Sequence, residues 1–336
     1  MSTLAHRQLA VSNEQANPAP GWLEFADSLL RKGLITGDLL GKTTAAGDAA
    51  DGRTRLRELW ELTDLSASDF ADEVASFYKL PRLSLPPKYI ETKLARGVPV
   101  LAGEPIPIPV QLLHAALLEL CGALASGGAG EAAEHIQSAL ESGGMEAGSL
   151  LAASLARDQI AIRTGAVHRG LAPDLVWLVA ELAVSPFAHA LQRALFANAA
   201  ANAVTSLGTA LTSWNRGYCP ACGSWPALAE VVGGRRVLRC SFCAVAWELA
   251  TYACIYCEED ADPFVTAAAD EERRDRRIEL CSRCTGYLKT VDVPALSPFP
   301  LLAIADLETM DLDLTAMERG HTRPPLPGVA TRTPRR

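Results

Sequence analysis

Between Cys219 and Cys284 the chain places eight of its nine cysteines as four Cys-x-x-Cys pairs: Cys219/Cys222, Cys240/Cys243, Cys254/Cys257 and Cys281/Cys284. Seventeen residues separate the first two pairs and twenty-three the last two. Each gap holds a β-hairpin between two knuckles, so that four thiolates close on one tetrahedral metal ion. The residues between the sulfurs fit this. Cys219-Pro220-Ala221-Cys222-Gly223 sets a fixed φ inside the turn and a glycine after it, a turn whose backbone N–H groups point at the thiolates. Leu228 to Val232, then Gly233-Gly234, then Arg235 to Arg239, read as a hairpin that returns the chain to Cys240. Phe264 to Thr266 and Ile278 to Leu280 can pair in the same way in the second unit.

The expected ligand sets are therefore Cys219, Cys222, Cys240, Cys243 and Cys254, Cys257, Cys281, Cys284. Sequential sites are favoured over interleaved ones because each set has its own hairpin, although the ten-residue connector Ala244 to Ala253 is long enough for either. Disulfides are the rival use of eight cysteines. Met1 to Gln15 holds no apolar stretch and no twin arginine, so a cytoplasmic, reducing setting is expected, and there such spacings favour a metal. A thioredoxin-like pair needs one Cys-x-x-Cys at the end of a βαβ strand, not four in hairpins. Thiolate sites of this spacing hold zinc more often than iron. The ninth cysteine, Cys121, lies in an apolar helical run and reads as a small core residue.

Upstream the chain reads as helical, which makes the fold class α+β and multidomain: an α-helical N-terminal body, two small four-cysteine ribbons and a C-terminal helix. The expected boundaries are 1–20 disordered, 21–215 helical, 216–250 the first ribbon, 251–292 the second, 293–320 the C-terminal helix and 321–336 a tail. Trp22, Phe25, Leu29 and Leu30, then Leu56, Leu59, Trp60 and Leu62, then Phe70, Val74 and Phe77, mark amphipathic runs. Seven prolines between Pro81 and Pro109 make that stretch an extended connector. Helices are expected over 110–126, 130–142, 145–163, 173–185 and 187–213, divided by glycines and by Pro186. Trp214, Tyr218, Trp225 and Trp247 gather near the start of the metal module, either packing ribbons on helices or shaping a groove for a partner.

Catalytic motifs are missing: no Ser-His-Asp order, His-Glu-x-x-His, phosphate loop or dinucleotide fingerprint occurs, and His114, His135, His168 and His189 stand at no ligand spacing. No catalytic residue and no enzymatic activity are expected. Nucleic acid is a poor partner for a chain of net charge −8, whose Cys219–Lys289 segment has nine basic against eleven acidic residues before the thiolates are counted. Arg235, Arg236 and Arg239 are expected to offset the first metal's charge. The longest charge-free run, Ala194 to Trp214, is diluted by Asn, Thr and Ser, so no membrane insertion is expected.

The residues also carry a resemblance. Cys-Pro-Ala-Cys-Gly-Ser-Trp-Pro at 219–226, Leu-Arg-Cys-Ser-Phe-Cys at 238–243 with Trp247 after it, Cys-Ile-Tyr-Cys at 254–257 and Cys-Ser-Arg-Cys-Thr-Gly-Tyr-Leu-Lys at 281–289 resemble the formate dehydrogenase accessory protein (FdhE) family. The segment with Asp306, Leu312-Asp313, Gly320 and Arg323 is similar to that family's C-terminal part, so the specific similarity runs from about Tyr218 to Pro327. The resemblance implies two rubredoxin-like domains, each with a tetrathiolate metal, iron in that family. It implies a cytoplasmic maturation factor that binds the catalytic subunit of a molybdenum- or tungsten-dependent formate dehydrogenase. A rubredoxin-like electron carrier and a nucleic-acid-binding zinc ribbon are the alternative readings.

Overall fold

The computed structural model describes residues 85–202, 210–260, 264–267 and 275–327. The expectations for residues 1–84, for 203–209, for 268–274 at the charged tip and for the last nine residues lie outside these. The architecture is α+β: helices, then a mixed sheet carrying two four-cysteine groups, then C-terminal helices.

The chain divides into two compact units. In the first, the described residues are 106–190, with α2 (Val110–Leu124), α3 (Gly130–Glu141), α4 (Ala147–Leu155), α5 (Gln159–His168) and most of α6 (Pro173–Asn202). The buried faces follow the helical repeat: Leu113, Leu117 and Cys121 on α2, Ala133, Ile136 and Leu140 on α3. The glycines at 127 and 128 lie in one wide helical turn, Ala125–Ala129, ended by Gly130 at a φ of 46°.

Two expected boundaries are corrected. The single helix over 145–163 is two, because Arg157 adopts a left-handed φ of 60° and Asp158 then caps α5 through Ala161 N at 3.0 Å. The Arg157 side chain is buried, meeting Glu181 at 2.6 Å and stacking over the Trp177 ring at 4.7 Å. Conversely, α6 runs through Pro186 unbroken. A proline removes one backbone bond, but Val179, Ala183, Val184, Phe187 and Ala188 form one buried face across it, and tertiary burial outweighs local propensity. The stretch Pro173–Phe196 of α6 is long and apolar enough to cross a membrane, yet 61% of its most apolar window is buried, as in a core helix.

The second unit holds residues 82–105 and 191 onward. Its six strands are β1 (Pro226–Val232), β2 (Arg235–Cys240), β3 (Ala246–Trp247), β4 (Phe264–Ala267), β5 (Arg276–Cys281) and β6 (Tyr287–Asp292). They form one sheet in the order β3-β2-β1-β6-β5-β4. Both expected hairpins are there, with Val232 opposite Arg235 and Thr266 opposite Glu279. Each ribbon is three antiparallel strands in the same order, and the two join head to tail where β1 runs parallel to β6, Glu230 opposite Val291.

The C-terminal helix is likewise two, α7 (Phe299–Glu308) and α8 (Met310–Glu318). At the break the Thr309 hydroxyl donates to the carbonyls of Ala305 and Asp306 at 2.8 and 3.0 Å. Helix α7 packs Leu302 on Ala227, Leu228 and Ala244 of the first ribbon. Helix α8 packs Leu312 and Ala316 on Ile278, Leu280 and Tyr287 of the second.

The proline-rich stretch is also not extended throughout. Its prolines cluster at the two ends, and the gap between Pro87 and Pro99 folds as α1 (Pro87–Ala95), with Pro87 in the first turn where no N–H is needed. Lys93 of α1 turns back, buried, onto the carbonyls of Val100 and Ala102 at 2.9 and 2.6 Å and onto Glu104 at 2.6 Å.

Candidate metal centres

The structure gathers the eight cysteines into two groups, Cys219, Cys222, Cys240, Cys243 and Cys254, Cys257, Cys281, Cys284, with the sulfurs of each group within 4.8 Å of one another. The interleaved arrangement is thereby excluded. Neighbouring sulfurs stand 3.4 to 3.7 Å apart, as in Cys222–Cys240 at 3.4 Å, Cys219–Cys243 at 3.6 Å and Cys257–Cys281 at 3.7 Å. A disulfide needs about 2.05 Å. Four sulfurs at about 2.3 Å from a central ion define a tetrahedron with edges of roughly 3.8 Å. Each group could hold one metal ion, and the donors fit it.

Each knuckle ends in the same backbone device. The residue after its second cysteine is left-handed: Gly223 at a φ of 84°, Ala244 at 57°, Glu258 at 62° and Thr285 at 54°. Within the turns that precede it, backbone N–H groups point at sulfur. Ala221 N donates to Cys219 Sγ, and Phe242 N and Cys243 N to Cys240 Sγ, all at 3.4 Å. Only one of the four positions is glycine, so the sequence marks only that one.

Electrostatics explains why such groups need a cation. Burial pushes the Cys219 and Cys243 thiols well up, and the neighbouring sulfurs add to it. In the second group burial raises Cys254, and raises Cys284 to about 11. At Cys281 burial also pushes upward, but backbone N–H groups of Cys284 and Arg283 outweigh it and hold the thiol below its ordinary value. A metal cation held in each group would supply the charge that keeps four packed sulfurs ionised.

The surroundings of the two groups differ. All four cysteines of the first are buried, whereas Cys257 and Cys284 of the second are partly exposed. The first knuckle is covered by the turn after α1: Val100 N and Leu101 N donate to the carbonyls of Pro220 and Ala221, each at 2.9 Å. The Tyr218 hydroxyl donates to Gly97 O at 2.7 Å. Sequence reasoning missed this cover because nothing in a proline-rich run marks it as a partner for a knuckle.

The two knuckles also abut. A Cβ on Gly217 would lie 1.8 Å from Ile255 O, so only glycine fits there. Trp214, Tyr218, Trp225 and Tyr256 form a chain of edge-to-face rings with centroids 5.4, 6.1 and 4.9 Å apart. The Trp214, Trp225 and Trp247 indoles are buried, and each donates to a backbone carbonyl, of Tyr218, Pro325 and Arg216 respectively. Their role within this unit is packing.

The arginine cluster is corrected too. Arg239 pairs with Glu230 in the interior, Arg236 reaches Glu279 of the other ribbon (Nε to Oε1 2.9 Å), and Arg235 meets Glu248 at 3.0 Å. These guanidiniums answer carboxylates on or beside the sheet, not the first group's thiolates, and the Arg236 pair ties the two ribbons together.

Comparison with known proteins finds relatives over about a third of the chain. The chain is 32% identical over 118 residues to the FdhE homolog of Aquifex aeolicus, a match covering 33% of this chain and 40% of that protein. It is 32% identical over 126 residues to the FdhE homolog of Pseudomonas aeruginosa, covering 34% and 40%. With protein FdhE of Escherichia coli it shares 30% over 127 residues, covering 37% and 40%. The chain thus spans about two fifths of the length of the curated relatives it matches. The crystal structure of the FdhE protein from Pseudomonas aeruginosa aligns over 97% of this chain and 94% of that one, at 22% identity and a TM-score of 0.46. No protein-family model matches the chain. The resemblance to FdhE read from the motifs is borne out by the three curated relatives.

Proposed function

We propose that this chain is an accessory protein of the FdhE family, a cytoplasmic factor that holds the catalytic subunit of a molybdenum- or tungsten-dependent formate dehydrogenase while that subunit matures. The observation that carries the reading is the use of the cysteines. All eight motif cysteines are drawn into two four-cysteine groups, which supports reading them as ligands, and similarity to FdhE proteins supplies the class. Metal ions in these groups, iron or zinc, fix the knuckles and so shape the sheet. Cys219, Cys222, Cys240 and Cys243 would hold one ion, and Cys254, Cys257, Cys281 and Cys284 the other. The work done on the partner is binding, for which a shaped surface suffices.

The test is genetic and biochemical. Deleting the gene in its native host should abolish formate dehydrogenase activity while leaving the dehydrogenase polypeptide in place, and a tagged chain should retain the catalytic subunit in a pull-down. Normal activity in the deletion strain, or a pull-down without that subunit, discards the reading.

One observation favours a second reading, a rubredoxin-like electron carrier: the partly exposed Cys257 and Cys284 would give an iron in the second group a path to an outside partner. Zinc as the native metal, or an iron form that does not cycle between its ferric and ferrous states, removes it.

A further inference from the structure

The segment after α8 does more than end the chain. Gly320 turns it with a φ of 80°, and the residues that follow run across the second knuckle. Thr322 N donates to Thr285 O at 2.9 Å, and Thr322 forms a parallel bridge with Gly286. Thr285 and Gly286 directly follow Cys284. Gly286 is itself wedged, since a Cβ there would lie 2.5 Å from the Tyr256 ring and 3.1 Å from Cys284 Sγ. Tyr256 sits between Cys254 and Cys257, and its hydroxyl donates to Tyr287 O at 2.9 Å. Farther along the strap, the Trp225 indole donates to Pro325 O at 2.9 Å.

This strap is tied to a polar cluster built on one buried lysine. Lys289, fully buried on β6, has its Nζ 2.6 Å from Asp306 Oδ1 and 2.8 Å from Asp313 Oδ2. Arg323 of the strap meets the same two carboxylates at 3.3 and 3.0 Å and lies over the Tyr287 ring at 5.4 Å. The Tyr287 hydroxyl donates to Asp313 Oδ1 at 2.7 Å. Two cations and two carboxylates therefore balance, and they come from β6, α7, α8 and the strap. Lys289 is the fully buried member, so loss of either carboxylate leaves its charge with one partner fewer in the interior.

Resting on the reading of the second cysteine group as a metal centre, we propose that α7, α8 and the strap His321–Pro325 are its clasp, so that retention of the metal and docking of the C-terminal helices are reciprocally linked. The geometry runs in one connected path: Cys254–Cys257 to Tyr256, Tyr256 to Tyr287, Tyr287 to Asp313 and Arg323, and from Cys284 through Thr285 to Thr322. Emptying the centre frees the knuckles that hold Tyr256 and Thr285, and with them the strap. Unlocking the strap lets the Cys281–Cys284 knuckle open beside the partly exposed Cys257 and Cys284. Linkage requires each effect to equal the other. The first centre has its cover in the turn after α1; α7 also packs Leu302 on Ala244 beside Cys243, and among the described residues the strap reaches the first ribbon through Trp225.

The experiment uses the full chain loaded with zinc and follows its release to a chromophoric chelator, with the phases assigned by a Cys257→Ser/Cys284→Ser variant. Outer-shell partners of metal ligands are worth about 10–100-fold in affinity. Asp313→Asn and Arg323→Met should each speed release from the second centre about tenfold and leave the first unchanged. Tyr256→Phe, which deletes one hydroxyl and keeps the ring, should give a smaller effect of the same sign and serves if the buried-cluster variants do not fold. In the reverse direction, hydrogen exchange in the Cys257→Ser/Cys284→Ser variant should show α8 losing protection while α1 keeps it. Unchanged release in Tyr256→Phe and the cluster variants, equal acceleration at both centres, or undiminished protection of α8 overturns the clasp. A chain that binds a single zinc from the outset overturns the two-centre reading itself, a distinct outcome.

Discussion

The first and second cysteine groups have the same knuckles, the same left-handed residue after each knuckle and the same three-stranded ribbon, yet one is enclosed and the other is not. Cys219, Cys222, Cys240 and Cys243 are 0–3% exposed, while Cys257 and Cys284 face partly outward. The ligand motif does not make this difference. It comes from chain far away in sequence: Gly97 to Leu101 laid over the first knuckle, and Thr322 to Pro325 laid along the second.

The comparison breaks most completely at the ligands. Cys240→Ser should empty the first centre and unfold the ribbon around it, since structural zinc supplies on the order of 10–16 kcal/mol in small metal folds. Because all four ligands of that group are buried, its loss should cost more β-structure than loss of the partly exposed second group, as circular dichroism and metal analysis would report. Cys284→Ser should leave one metal per chain and the first ribbon folded. Equal damage from both variants would contradict the asymmetry.

A smaller break lies between the knuckles. Gly217→Ala sets a methyl against the Ile255 carbonyl and should cost about 1–3 kcal/mol, the range for overpacking, read as a lower midpoint in urea. Tyr218→Phe removes the hydroxyl bond to Gly97 O that pins the first centre's cover. It should cost about 1 kcal/mol and bring the first centre's rate of metal release toward that of the second. The smallest expected effect is a gain. Thr285, exposed and left-handed, should be relieved by Thr285→Gly, raising stability by about 0.5–1 kcal/mol or less once the added freedom of the unfolded chain is counted.

Local chemistry was legible in the sequence wherever it is written within one knuckle or one hairpin. The cysteine spacing gave both groups and their sequential pairing, and Gly233-Gly234 gave the first hairpin's turn with Val232 opposite Arg235. What stayed hidden depends on partners remote in the chain. Arg236 looks like a counter-charge to nearby thiolates until the fold brings Glu279 beside it. Lys289 stands at the end of a motif with nothing local to mark it as buried, and its partners Asp306 and Asp313 arrive from later helices. Pro186 signals a break that the buried face of α6 overrides, and Arg157 interrupts a helix because its side chain is drawn to Glu181 and Trp177. The parallel joining of β1 to β6 is marked by no local signal at all.

The measurement that tests the central claim most directly is metal content with X-ray absorption at the metal edge, on full-length protein purified without chelator. Two ions per chain, each with four sulfur neighbours at about 2.3 Å, are the result this structure predicts. A single ion per chain, a shell mixed with nitrogen or oxygen, or cysteines found as disulfides would contradict it.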